Sequence, residues 1–208
     1  MRDGGLYAIV DPAATGERDP ERVAAAVLAG GCARLQLRWK DASDGERLRL
    51  ARRLAEQCRL AGVPFVMNDR PDLAHLCGAD GLHLGQGDLS VEDARKIVGE
   101  TTEIGLSTHD VDQARRAAEL GVDLLAFGPI YTTTSKLDPD PVVGIASLAR
   151  ICEGASRPVV AIGGVTLERA PAIREAGAAF GAAISAICAA DDTESTARAL
   201  HAALGGAR

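Results

Sequence analysis

The sequence predicts an α/β fold, a single-domain (βα)8 TIM barrel, on three observations. Short β-rich runs recur eight times along the 208 residues. Each is followed by a longer stretch of helical spacing, and the units repeat roughly every 25 residues, the small end of that fold. No linker-like composition divides the chain, so residues 1–208 read as one catalytic domain.

The predicted strands are residues 6–10, 33–38, 63–68, 81–85, 103–107, 123–128, 158–163 and 181–185. Several are apolar almost throughout, as a parallel sheet covered on both faces requires. Between them, residues 45–60 place Leu48, Leu54 and Cys58 near one helical face, with Arg47, Arg49, Arg52, Arg53 and Arg59 around the rest. Residues 111–120 and 193–204 show similar spacing. Ser90 and Thr166 stand where a hydroxyl would cap the first amides of a helix. Alternating strands and helices favour a closed barrel, whose active site lies at the carboxyl ends of the strands.

Composition excludes several classes. Hydrophobic residues make up 47% and aromatics 3%, which suits a globular core of small repeated units. The formal net charge of -6 is the wrong sign for wrapping nucleic acid through its phosphates. Five scattered cysteines, none as Cys-x-x-Cys, read as reduced thiols in a cytosol. No stretch reaches the roughly 18 apolar residues that span a bilayer, and the start lacks a signal-peptide core. A cytoplasmic protein with no membrane partner is expected; monomer and homodimer are both compatible with the sequence.

The strand ends carry the chemistry. Alternation puts Gln36, Arg38 and Lys40 on one side of strand two and Leu37 and Trp39 on the other. An inward Arg and Lys at a barrel mouth would hold a multiply charged anion. Asp69 and Asp88 follow neighbouring strands three and four; either alone reads as a helix cap, and together they suit Mg2+. His83 points inward as a hydrogen-bonding group, with no second His or Cys at zinc spacing. Ser107 with His109 lacks a nucleophile elbow and a third group, so Ser107 reads as a substrate hydrogen-bonder. Thr132, Thr133, Thr134, Ser135 and Lys136 follow strand six in an irregular stretch, residues 132–143, that reads as a loop closing over the site. Gly163-Gly164 after strand seven and Ile184-Ser185 after strand eight would let backbone amides approach a phosphate. One subsite is sized for a diphosphate and the other for a monophosphate, which implies group transfer with pyrophosphate leaving.

The ordered set Gln36-Leu37-Arg38-x-Lys40, Asn68-Asp69-Arg70, His83-Leu84-Gly85-Gln86-Gly87-Asp88, Ser107-Thr108-His109, Gly128-Pro129-Ile130-Tyr131, Thr133-x-Ser135-Lys136 and Ile162-Gly163-Gly164 resembles the thiamine phosphate synthase family. Each motif is weak alone; the series, in order across nearly the whole chain, is specific. The resemblance implies a Mg2+-dependent coupling of hydroxymethylpyrimidine diphosphate with hydroxyethylthiazole phosphate through dissociative loss of the diphosphate. By position it implies Arg38, Lys40, Asn68 and Lys136 on the diphosphate, and Asp69 and Asp88 on the metal. Gln36 and Ser107 would then hold the pyrimidine, with Thr133, Ser135, Gly164, Ile184 and Ser185 around the thiazole phosphate.

Three departures from the family pattern stand out. Trp39 replaces a usual Glu, with its side chain expected to point away from the mouth. Ser135 replaces a Thr and keeps the hydroxyl. Ala178-Ala179-Phe180 replaces Ala-Asp-Gly, and a bulky Phe180 is expected near the phosphate nest, where it would reshape the acceptor subsite. The competing readings are a thiazole tautomerase, a paralogue that binds thiamine phosphates without turnover, and another phosphate-binding barrel that would use Asp69 and Asp88 as an acid–base pair.

Overall fold

A computed structural model of the chain describes residues 4–133 and 140–207. Strands β1 (Gly5–Val10), β2 (Arg34–Leu37), β3 (Phe65–Asn68), β4 (Gly81–Leu84), β5 (Glu103–Thr108), β6 (Leu124–Phe127), β7 (Val159–Ile162) and β8 (Phe180–Ala183) alternate with helices. The helices are α1 (Pro20–Gly30), α2 (Asp44–Ala61), α3 (Pro71–Cys77), α4 (Val91–Val98), α5 (Val111–Glu119), α6 (Ile145–Gly154), α7 (Ala170–Glu175), α8 (Ser185–Cys188) and α9 (Thr193–Ala203). All strand pairs are parallel, each strand lies beside its successor, and β8 closes on β1. Among the described residues no helix is long and apolar enough to cross a membrane. No disulfide joins any of the five cysteines.

Alternation along the strands sorts side chains into two apolar layers. Leu35, Leu37, Phe65, Met67, Leu82 and Leu84 face outward, where helix residues such as Leu50, Leu54 and Cys58 cover them. Ile9, Val66, Leu124, Ala126, Val160 and Ala182 fill the barrel interior. Below them lies a charged floor. Arg34 bridges Glu103 at 2.9 Å and stacks 4.7 Å from the Phe180 ring. Burial raises the Tyr7 phenol above its ordinary value, the Arg34 cation opposing and the Glu103 carboxylate adding to the shift.

That floor corrects the expectation for Phe180. It is the first residue of β8, paired with Val160 and Gly5, and its buried ring points into the interior at the end opposite the mouth. The family pattern identifies the position but not its depth in the barrel.

The helix ends follow local chemistry, with some differences from the sequence reading. Ser90 caps α4, its Oγ accepting from Asp93 N at 3.0 Å. Thr166 instead opens a turn before α7, accepting at its carbonyl from Arg169 and Ala170. Ser43 closes a capping box with Glu46 at the start of α2. Arg47, assigned above to the polar face of that helix, is buried. Its guanidinium donates to the carbonyls of Trp39 (2.7 Å), Lys40 (3.0 Å) and Ala42 (3.0 Å), which ties down the loop after β2. Ser185 begins α8 where the sequence reading ended a strand.

Candidate active site

The carboxyl ends of the strands open on a cavity of about 560 Å3. Gln36, Arg38, Lys40, Asn68, Asp69, Asp88, Ser107, Thr133, Gly164, Ile184 and Ser185 all line it. Ser135 and Lys136 lie outside the described residues, as does half of the proposed closing loop, residues 134–139.

One wall is built by β2 and β3. Gln36 is buried at its strand end and donates through Nε2 to Asn68 Oδ1 at 2.7 Å, so the two amides hold one orientation. Arg38 follows β2 and pairs with Asp11 at the end of β1. Two residues on, the Lys40 ammonium lies 3.5 Å from Asp69 Oδ2. Trp39, between them, packs outward against the helix-side core, as alternation requires.

Asp69 is not the helix cap that its place before Arg70-Pro71 invites. Arg70 occupies the cap position of α3 and makes no side-chain cap bond. The Asp69 backbone sits at φ 63, a left-handed conformation that costs a non-glycine residue about 1–2 kcal/mol and that Asp tolerates better than most. The Asp69 N–H donates to His83 O at 2.8 Å, which continues the β3–β4 ladder while the carboxyl turns to the mouth. Asp88 reaches the same place from the loop after β4, its Oδ2 accepting from Gly85 N at 2.7 Å. Burial, and then a hydrogen bond shared with Asp88, push the Asp69 carboxyl up to about 6, with Lys40 acting against the rise. The half-buried Asp69 carboxyl and the exposed Asp88 carboxyl form a hard-oxygen donor pair, and a divalent cation fits between two such groups. Among the described residues no group of three or more His, Cys, Asp or Glu converges.

Ser107 does form a Ser–His contact, but with His83 and not His109: His83 Nε2 lies 2.8 Å from Ser107 Oγ. Burial pushes the His83 imidazole down to about 4, so it is neutral at pH 7 and a weak base. Its other nitrogen faces Gly105, where a Cβ would stand 2.8 Å away, and not an orienting carboxylate. A polar anchor results, not a nucleophile. His109 serves the neighbouring loop, with Nδ1 2.7 Å from Gly128 O and Nε2 3.5 Å from Asp140 Oδ2.

The opposite wall comes from β6, β7 and β8. Gly164 has φ 65, and a Cβ there would lie 2.6 Å from Thr132 O, so only glycine lets the β7 loop pass beneath the β6 loop. Ile184 and Ser185 enter the cavity at the start of α8. The sequence reading passed over Asp11, although an Asp-Pro step at the end of strand one is visible in the sequence. It also gave no site role to Gln86, whose Nε2 donates to Ser107 O at 2.6 Å.

A family model described as thiamine monophosphate synthase matches residues 6–187. The chain belongs to the thiamine monophosphate synthase family. The thiamine-phosphate synthase of Roseiflexus sp. (strain RS-1) is 40% identical over 204 residues, covering 98% of this chain and 86% of the relative. That of Anaeromyxobacter dehalogenans (strain 2CP-C) is 41% identical over 207 residues, covering 100% and 90%. Among solved structures, a thiamine phosphate pyrophosphorylase from Pyrococcus furiosus superposes with a TM-score of 0.88 at 28% identity, covering 97% of this chain and 96% of that one. As a thiamine monophosphate synthase family member, the chain sets a cationic and acidic wall opposite a glycine-shaped wall, with uncharged polar anchors between them.

Proposed function

We propose that this single-domain barrel is a Mg2+-dependent thiamine phosphate synthase, a transferase that joins hydroxymethylpyrimidine diphosphate to hydroxyethylthiazole phosphate. The observation that carries the reading is the convergence, in one cavity, of Arg38, Lys40, Asp69 and Asp88 opposite Gly164, Ile184 and Ser185. Relatives bearing the synthase name at about 40% identity over nearly the full chain support it.

In this reading the bond between the pyrimidine's methylene carbon and the diphosphate oxygen breaks first, its electron pair leaving with the diphosphate. The thiazole nitrogen then donates its lone pair to the methylene cation, forming the C–N bond of thiamine phosphate. No proton transfer balances the step, so no general base is required. The neutral, buried His83 suits such a site. Arg38, Lys40 and Lys136 neutralise the leaving group as its charge develops. Asp69 and Asp88 would hold the Mg2+, which when bound supplies further positive charge to the diphosphate. Gln36 and Asn68, fixed on one another, and Ser107, fixed on His83, present polar atoms to the pyrimidine and diphosphate. Thr133, Ser135, Gly164, Ile184 and Ser185 bound the acceptor phosphate.

A tautomerase would have no use for the diphosphate wall, and the silent-binder reading loses the one feature that supported it because Phe180 lies at the barrel floor. Incubation of the purified protein with both substrates and Mg2+, followed by chromatography, tests the assignment: thiamine phosphate is the expected product. Substrate binding with no such product would refute it.

A further inference from the structure

We propose that Asp11 is a positioning residue that acts through Arg38, holding the guanidinium at the cavity rim in the orientation that meets the departing diphosphate. This rests on the reading of Arg38 as a diphosphate ligand. The two residues follow paired strand ends. Val10 of β1 is in register with Leu37 of β2, and Arg38 N donates to Val10 O at 3.0 Å, so the next side chain on each strand stands beside the other.

The pair is asymmetric in a way that assigns the roles. The Arg38 side chain is 20% exposed and lines the cavity, while the Asp11 side chain is 6% exposed and does not. Asp11 therefore stands behind the arginine and not against the substrate. Its carboxylate is itself fixed: Oδ1 accepts from Ala13 N at 3.1 Å, capping the short 3-10 helix Pro12–Ala14, and Oδ2 takes the Arg38 guanidinium. Ala14 N donates to Asp11 O at 2.8 Å, and Pro12 fixes the next backbone torsion, so the anchor has little freedom of its own.

An arginine at an open rim would otherwise have to order four side-chain torsions each time an anion arrived. A carboxylate that pre-orders them also offsets part of the cation's charge. The pair thus favours the geometry of the departing diphosphate over tight ground-state binding, which is the difference that raises kcat. Among the described residues Asp11 is the guanidinium's hydrogen-bond partner, which leaves the other N–H groups to face an anion.

A four-protein cycle of parent, Asp11→Asn, Arg38→Gln and the double variant tests the proposal by kinetics and thermal melting. Asn at position 11 keeps an oxygen for the Ala13 cap and replaces the oxygen that accepts from Arg38 with an amide NH2, which removes the charge and the acceptor together. Asp11→Asn is expected to lower kcat by about tenfold, a coupling typical of contacting pairs, with a smaller effect on KM for the pyrimidine diphosphate. Arg38→Gln is expected to lower turnover further, and the double variant should be no worse than Arg38→Gln alone. In melting, Arg38→Gln should lower Tm by stranding a buried carboxylate, and adding Asp11→Asn should restore it. Losses that simply add, or a kcat for Asp11→Asn within about twofold of the parent, would overturn the positioning role. Equal melting of Arg38→Gln and the double variant would do the same. Unchanged turnover in Arg38→Gln itself would instead remove the diphosphate reading of Arg38, and the proposal with it.

Discussion

The Lys40 ammonium and the Asp69 carboxylate face each other at 3.5 Å across the ends of two neighbouring strands, with Asp88 sharing the Asp69 carboxyl from the third. One cation against two acids leaves the group short of positive charge. A divalent ion with a diphosphate corrects both deficits at once. Asp69→Asn and Asp88→Asn are therefore each expected to abolish Mg2+-dependent turnover while the protein stays folded, since neither carboxylate lies in the apolar core. Asp69→Asn should melt no lower than the parent, because it removes a charge that burial disfavours. Unchanged activity in both variants would refute the metal assignment.

Lys136, assigned from the family motif, should act on the developing charge of the leaving group. Lys136→Ala is expected to cost on the order of 10²-fold in kcat, as removal of a charge-stabilising group does. A change confined to KM would make Lys136 a residue that binds substrate and transition state equally.

His83 gives the fold a pH dependence of known sign. Its native value is about 4, against an ordinary 6.5, because burial disfavours the imidazolium. The unfolded chain therefore takes up the proton first as pH falls, and this group's contribution to stability is lost between about pH 6.5 and pH 4. The loss approaches about 3 kcal/mol at the acid end. Urea midpoints at about pH 7.5 and about pH 4.5 should differ less in His83→Gln than in the parent. An equal difference in both proteins would contradict this origin.

Phe180 separates stability from acceptor binding. Phe180→Leu keeps an apolar side chain in the floor but removes the stack on Arg34, and is expected to cost about 1–3 kcal/mol of stability. KM for the thiazole phosphate should stay within about twofold, an energy too small to reflect a lost contact. A larger rise in that KM with unchanged Tm would return Phe180 to the acceptor subsite.

Much of this was legible in the sequence. Strand alternation alone placed Gln36, Arg38 and Lys40 on the mouth side and Trp39 on the helix side, and the structure has them there. What local pattern could not supply was depth and competition. Asp69 carries the letters of a helix cap, but the ladder bond from its N–H to His83 O turns it away from the helix, and that bond depends on a strand residue fourteen positions further along. Phe180 was read near the mouth because its motif borders the phosphate nest, whereas β8 begins at that residue. The Ser107 partner proved to be His83, twenty-four residues away, and not His109, two residues on, because barrel neighbours meet across strands. Asp11 was hidden in an Asp-Pro step whose role appears only once β1 and β2 are side by side.

The most direct test of the central claim is pyrophosphate release from hydroxymethylpyrimidine diphosphate, measured with and without thiazole phosphate, in Mg2+ and in EDTA. The account predicts release that requires Mg2+ and the acceptor, with thiamine phosphate formed in equal amount. No release under any of these conditions, with thiazole phosphate still bound, would contradict it and leave a barrel that holds the acceptor without performing the transfer.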